Sequence, residues 1–136
     1  MNEDEKPNGK DDDRFTVLCY NILCDKYATQ SMYGYTASWA LAWDYRKELI
    51  IQELQGHNAD IVCLQEVATD CFEEVLSPAL AYHEYKGVFW PKSRAKIMSD
   101  SEKKSVDGCA TFFKTTKFVA NLIYNPLPPI KINTNI

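Results

Sequence analysis

Two runs of apolar and β-branched residues each close on a polar side chain. Phe15-Thr16-Val17-Leu18-Cys19-Tyr20 ends on Asn21, and Ile61-Val62-Cys63-Leu64-Gln65 ends on Glu66. A carboxylate at the end of a buried strand is held on a rigid element at the rim of a sheet, where active sites of α/β proteins gather. One carboxylate with water and phosphate oxygens is a common way to hold Mg²⁺, which takes oxygen ligands and keeps several waters. An amide in the same place can hold a phosphate oxygen or a water. The plainer readings are a solvated glutamate and a turn-forming asparagine, and position alone leaves both open.

A third group is basic. Between positions 92 and 104 the cations Lys92, Arg94, Lys96, Lys103 and Lys104 face only Asp100 and Glu102. Such a density suits phosphate oxygens, and it equally suits an exposed, solubilising loop. Tyr27, Tyr33, Tyr35, Trp39, Trp43 and Trp90 can stack on bases or simply pack.

Periodicity supplies the elements that must position these groups. Residues 15–21 read as a strand, and 22–37 as an ordered loop. Leu41, Tyr45, Leu49, Ile50 and Leu54 recur every three to four residues, which predicts a helix from 38 or 44 to 55, ended by Gly56. Four consecutive apolar residues after Asp60 predict a strand over 61–66 buried on both faces. Thr69 or Asp70 then caps a helix that buries Phe72, Val75, Leu76 and Leu80, and Pro78 bends or shortens it. Residues 85–90 and 108–113 read as strands, separated by a long charged loop at 91–107. Helices alternating with strands, then strands in succession, predict a mixed α+β sheet with helices on one face. Nothing after residue 119 reads as able to cover the other face.

Composition narrows the class. With 46% hydrophobic and 25% charged residues in 136, the chain is neither disordered nor collagenous nor a coiled coil. No apolar run approaches the roughly 18 residues of a membrane helix. The acidic start MNEDEKPNGKDDD is unlike a secretory or transit peptide. A soluble intracellular protein without a membrane partner is expected, cytoplasmic and also nuclear. The net charge of −4 hides a split: residues 1–85 are acidic, whereas 86–136 hold nine bases against three acids. Such a split can set a carboxylate region beside a phosphate-holding one. The five cysteines are odd in number and form no CxxC pair, and three sit in apolar runs, the pattern of buried free thiols. His57 and His83 lie far from any cysteine pair, which argues against zinc.

The motifs FTVLCYNILCDKYA, YGYTASWALAWDYRKELIIQEL and DIVCLQEV together resemble the endonuclease/exonuclease/phosphatase superfamily. SWALAWDYR, PKSRAKIM and KKSVDGCATFFK narrow the resemblance to the carbon catabolite repressor four deadenylases, over residues 15–118. The resemblance implies the N-terminal half of a DNase I-like, four-layer α/β/β/α sandwich, an α/β (α+β) fold with a mixed sheet. It assigns 14–119 to that half-domain, flanked by a disordered acidic tail (1–13) and a divergent, disordered tail (120–136). It implies Mg²⁺-dependent 3'-5' hydrolysis of poly(A) RNA to 5'-AMP. Glu66 aligns with the metal-binding glutamate and Asn21 with an asparagine that positions water or the scissile phosphate. Lys92, Arg94 and Lys96 are placed against the RNA backbone. Deadenylase-complex subunits are the implied partners, although the leucine-rich repeats that dock one of them have no counterpart here.

The family's further aspartates, asparagine and two histidines also have no match in this sequence. An isolated chain is therefore expected to be inactive, as a truncated fragment. Two other readings stand beside it, a non-catalytic truncated product and a single-stranded RNA-binding module.

Overall fold

The computed structural model describes residues 14–120. The tail expected at 1–13 and all but the first residue of that expected at 120–136 lie outside the described residues. Four strands form one sheet: β1 (Val17–Asn21), β2 (Ile61–Ala68), β3 (Tyr85–Pro91) and β4 (Asp107–Lys114). Their order is β1-β2-β4-β3, with β1 parallel to β2 and the other two pairings antiparallel. Parallel neighbours need a crossover, and the segment holding α1 (Ser38–Leu41) and α2 (Trp43–His57) provides it. The short helices α3 (Ser77–Ala81) and α4 (Asp100–Lys103) complete the set. This is the expected mixed α+β sheet.

One core lies between the sheet and its helices. Ile50 and Leu54 of α2, Val62, Leu64 and Val67 of β2, Leu76, Leu80 and Phe112 are all buried in a single cluster. Phe72 stacks on Phe89 at 5.0 Å and tilts against Phe112 at 5.5 Å. Gly87 makes room for those rings, since a Cβ there would stand 2.5 Å from Phe112 Cε1. Gly108 is tighter still: a Cβ would meet the Trp90 carbonyl oxygen at 2.0 Å and Pro91 Cα at 2.7 Å.

Several local expectations change. The first helix is two helices, broken at the extended Ala42. The break persists because Arg46 Nε takes the orphaned Leu41 carbonyl at 3.2 Å. Helix α2 ends on Asn58, in the left-handed region at φ 48°, and Gly56 lies inside the helix. Its stripe buries Ile50 and Leu54 but leaves Tyr45 and Leu49 nearly half exposed. Asp70 does cap the next helix, accepting from Cys71 N at 2.7 Å. That helix opens as a wide π turn over Cys71–Leu76, and Ser77 N–H donates to Phe72 O five residues back. The wider turn accommodates Pro78, which has no N–H to give and whose ring would crowd a regular α turn.

Strand β2 is not buried on both faces. Val62 and Leu64 are fully buried, whereas Ile61, Cys63 and Gln65 are only half-buried. Alternation sends the second set to the side of the sheet away from the helices. The same parity governs the thiols. Cys19 and Cys109 are exposed and Cys63 half-buried, so the buried pair is Cys24 and Cys71 instead. Burial pushes the Cys71 thiol up to about 12, which leaves it inert. The segment 91–107 is also more regular than a loop. It holds a 3₁₀ turn over Ser93–Ile97 and the helix α4, whose Ser99 and Glu102 form a capping box.

Asp60 fastens three strands at one end of the sheet. Its Oδ2 accepts from Thr16 N at 2.8 Å and Thr16 Oγ1 at 3.1 Å, while Asp60 N donates to Thr16 Oγ1 at 3.0 Å. Its carbonyl accepts from Lys114 N, and Lys117 Nζ stands 3.1 Å from Oδ1. The Thr16 backbone bond, with help from Lys117, holds the carboxyl at about 2. A carboxyl depressed in the fold adds stability that is complete above its unfolded value near 3.8 and is lost as pH falls through about 2. Asp60→Asn is thus expected to lower the urea midpoint at pH 6, with the gap to wild type closing as unfolding is repeated towards pH 2. Gly108→Ala must part β3 from β4 or shift the backbone. Overpacking of this kind costs about 1–3 kcal/mol, read as a fall in thermal midpoint of at least about 4 °C.

Candidate active site

Strand β2 does not stop at Glu66 but runs on to Ala68. Leu64 faces Ala110 and Val67 faces Gly108, so the register shifts by a bulge between them. Glu66 sits in that bulge at φ 57°, in the left-handed region that disfavours a side chain. The extra residue lets Leu64 and Val67 both enter the core although they are three apart. Leu23 mirrors this just beyond the end of β1, at φ 54° two residues past Asn21. Non-glycine residues in that region collect at functional sites.

The two polar side chains read from the sequence meet here. Asn21 Nδ2 donates to Glu66 Oε1 at 2.8 Å, and Asn21 Oδ1 accepts from Leu23 N at 2.9 Å. The Leu23 N–H fixes which end of the amide is oxygen, so the NH₂ must face Glu66. Glu66 Oε2 is buried and has no hydrogen-bond partner among the described residues. A buried carboxylate oxygen left bare is costly unless a cation meets it. The pair therefore fits one side of a divalent cation that takes oxygen ligands. Among the described residues no group of three His, Cys, Asp or Glu side chains forms around such a point.

Beside it lies a cluster that the sequence did not announce. Asp107, at the start of β4, is 1% exposed yet charged. Its Oδ1 meets Lys26 Nζ at 2.9 Å, Arg94 Nη2 at 2.7 Å and Tyr27 Oη at 3.0 Å, and its Oδ2 meets Lys92 Nζ at 2.6 Å. Burial works to raise this carboxyl's pKa, but the bonds from Lys92, Lys26 and Tyr27 outweigh it and hold the group well below the carboxylate range. In return the bond to Asp107 raises Lys92, and the bond to Tyr27 raises Arg94. Lys26 and Lys92 also lie 5.0 and 5.7 Å from the Tyr27 ring centre. Three cations around one acid leave two positive charges over.

Asn21, Glu66, Trp90, Lys92 and Asp107 line one open cleft of about 530 Å³. Glu66 also lines a second hollow, of about 330 Å³, against Trp43 and Cys71. Of the basic residues read as phosphate contacts, Lys92 thus lines the cleft, and Arg94 joins it only through its bond to Asp107. Lys96 is exposed and forms no ion pair among the described residues, and Lys103 pairs with Asp100 at 3.0 Å. His57 ends α2, and His83 stands just before Tyr85, which pairs with Lys114 at the far end of the sheet from Glu66. Sequence reasoning missed Lys26 and Asp107, and it read Tyr27 for its ring where the structure uses its hydroxyl on Asp107. The one signal was an acid set directly against a buried strand, in Val106-Asp107-Gly108; nothing in spacing ties it to position 26.

Residues 18–134 match the model of the Endonuclease/Exonuclease/phosphatase family. Over 122 residues the chain is 51% identical to the CCR4-Not complex 3'-5'-exoribonuclease subunit Ccr4 of Schizosaccharomyces pombe, covering 87% of this chain and 18% of that protein. It is 61% identical over 104 residues to the CCR4-NOT transcription complex subunit 6-like-A of Xenopus laevis, 76% of this chain and 19% of that one. It spans less than a fifth of either relative. Among solved structures, ANGEL2, a 2',3'-cyclic phosphatase, in complex with adenosine-2',3'-vanadate aligns with a TM-score of 0.66 at 30% identity, over 77% of this chain and 28% of that one. The human Nocturnin catalytic domain with bound sulfate aligns with a TM-score of 0.55 at 31% identity, over 75% and 33%. The DNase I-like mixed sheet agrees with these matches: the chain belongs to the endonuclease/exonuclease/phosphatase family and, within it, to the Ccr4 group.

Proposed function

We propose that this chain is the part of a Mg²⁺-dependent 3'-5' exoribonuclease that holds the cation and the phosphate backbone of poly(A) RNA, for release of 5'-AMP. The observation that carries this reading is the bare, buried Glu66 Oε2 in a cleft whose wall also carries Lys92 and Asp107, members of a cluster with two positive charges in excess. The relatives' names, exoribonuclease and CCR4-Not subunit, support RNA as substrate and a multi-subunit complex as partner. Free thiols throughout support a reducing compartment, cytoplasmic or nuclear.

Bound Mg²⁺ supplies Lewis-acid stabilisation of charge developing on phosphate oxygens. Glu66 provides a carboxylate oxygen for it. Asn21 holds that carboxylate by one N–H, and its second N–H, unpartnered among the described residues, is available to a phosphate oxygen or a water. Lys92, Arg94 and Lys26 neutralise the adjoining phosphate. Hydrolysis adds water across a P–O bond, so a base must take the water's proton and an acid must protonate the departing O3'. Asp107 cannot serve as that base, because its charge is committed to three cations. Neither histidine reaches the cleft. With neither Asp107 nor a histidine able to move these protons, the isolated chain is expected to bind cation and RNA without cutting.

A labelled oligo(A) incubated with the 136-residue chain and Mg²⁺ is expected to be bound but not shortened. Shortening from the 3' end that Glu66→Ala abolishes would show that these residues suffice for hydrolysis. Binding should weaken with salt. Lys92→Ala or Arg94→Ala should each lower the log–log salt slope by about 0.7, the single-strand value per phosphate contact, while Lys96→Ala changes it little. The second reading, an RNA-binding module with no metal chemistry, is favoured by Trp90, more than a third exposed on the cleft wall. It predicts oligo(A) affinity indifferent to Mg²⁺, and no uptake of the cation that Glu66→Gln removes.

A further inference from the structure

The geometry points to Arg46 as the positioning residue of this site. Its guanidinium gathers three carbonyls, two of them from Ile22 and Leu23, the residues that directly follow Asn21. Nη1 donates to Ile22 O at 3.1 Å and to Leu23 O at 2.9 Å, Nη2 donates to Leu23 O at 2.6 Å, and Nε donates to Leu41 O at 3.2 Å. The group is part-buried and lies 5.5 Å from the Trp43 ring centre.

Leu23 is therefore held on both sides. Its N–H goes to Asn21 Oδ1 and its C=O to Arg46. A leucine at φ 54° has no intrinsic reason to stay there, and two charge-assisted bonds to one carbonyl supply it. With Leu23 fixed, its N–H fixes the Asn21 amide, and the amide's other end fixes Glu66 Oε1. The relay runs from Arg46 through Leu23 and Asn21 to the carboxylate, and Arg46 itself touches no reacting group. A lysine can occupy the space but cannot replace the fork, because its donors radiate from a single atom.

This inference rests on the reading of Glu66 as a cation ligand, and the experiment separates the two. In the full chain, Mn²⁺ affinity is measured by electron paramagnetic resonance, and exchange of the Leu23 amide and the Asn21 side-chain signal by NMR. Arg46→Lys is expected to weaken Mn²⁺ binding by about 10-fold, the lower end for loss of a group supporting a metal ligand, and to speed Leu23 exchange. Ile50→Val, in the core of the same helix, is the control that lowers the thermal midpoint while changing neither. Leu23→Gly, which allows φ 54° without strain, should restore Mn²⁺ affinity in the Arg46→Lys background. Arg46→Lys matching the control in both readouts overturns the role of Arg46. Absence of Mn²⁺ uptake by wild type overturns the reading of Glu66 instead, and Leu23 exchange with the Asn21 signal still decides for or against Arg46.

Discussion

The bulge at Glu66 is the constraint on which the remaining geometry depends. Side chains of a strand alternate between faces, so a one-residue slip exchanges every one of them. Val62 and Leu64 keep the regular phase and enter the core; Val67 enters it too, three residues on. Only an inserted residue reconciles that spacing, and Glu66 is the residue displaced. Remove the insertion, and either Val67 turns away from the helices or the pairing with Gly108 is lost. The carboxylate is aimed into the cleft because hydrophobic burial on both sides of it leaves β2 no other register.

The basic wall is ordered by a different force. Asp107 is out of contact with water, and an unpaired charge there is prohibitive. Lys26 from one segment and Lys92 and Arg94 from another neutralise it, with Tyr27 completing the set. This explains why 91–107, so polar in sequence, is folded into a 3₁₀ turn and a capped helix. It also redraws the charge split of the chain. Lys26 comes from the acidic half and Asp107 from the basic half, so the two halves are not two separate regions in space.

What was legible in the sequence was whatever a short window contains. The apolar run before Asn21, the period of α2 and the Asp70 cap are each set by residues within about two turns of one another. Even the resemblance rests on local strings such as SWALAWDYR. The bulge was not legible, because Glu66 followed by an apolar residue is indistinguishable from a polar strand end. The Asp107 cluster was not legible either, since Lys26 and Tyr27 stand some 80 positions from Asp107. Burial of β2 on both faces was inferred from four apolar residues in a row, but the described residues furnish a partner for one face alone. The helix break at Ala42 escaped for a related reason: the group that stabilises it, Arg46, acts on carbonyls as distant as Ile22.

Sheet order then explains why the cation side chains and the anion side chains are neighbours. With β1 parallel to β2 and β4 antiparallel to it, the last residues of β1 and β2 lie beside the first residue of β4. Antiparallel pairing of β3 with β4 brings the end of β3 to that same edge. Across it stand, in order, Asn21, Glu66, Asp107 and Lys92, one group from each strand or the residue just beyond it. Neither charge sign could move along its strand without entering the core or losing a ladder bond. Gly108 enforces the last step of the row, because only a residue without a Cβ lets the Trp90 carbonyl approach so closely. A carboxylate and a lysine 26 residues apart are thus held at one edge by pairing alone, before any ligand arrives to join them.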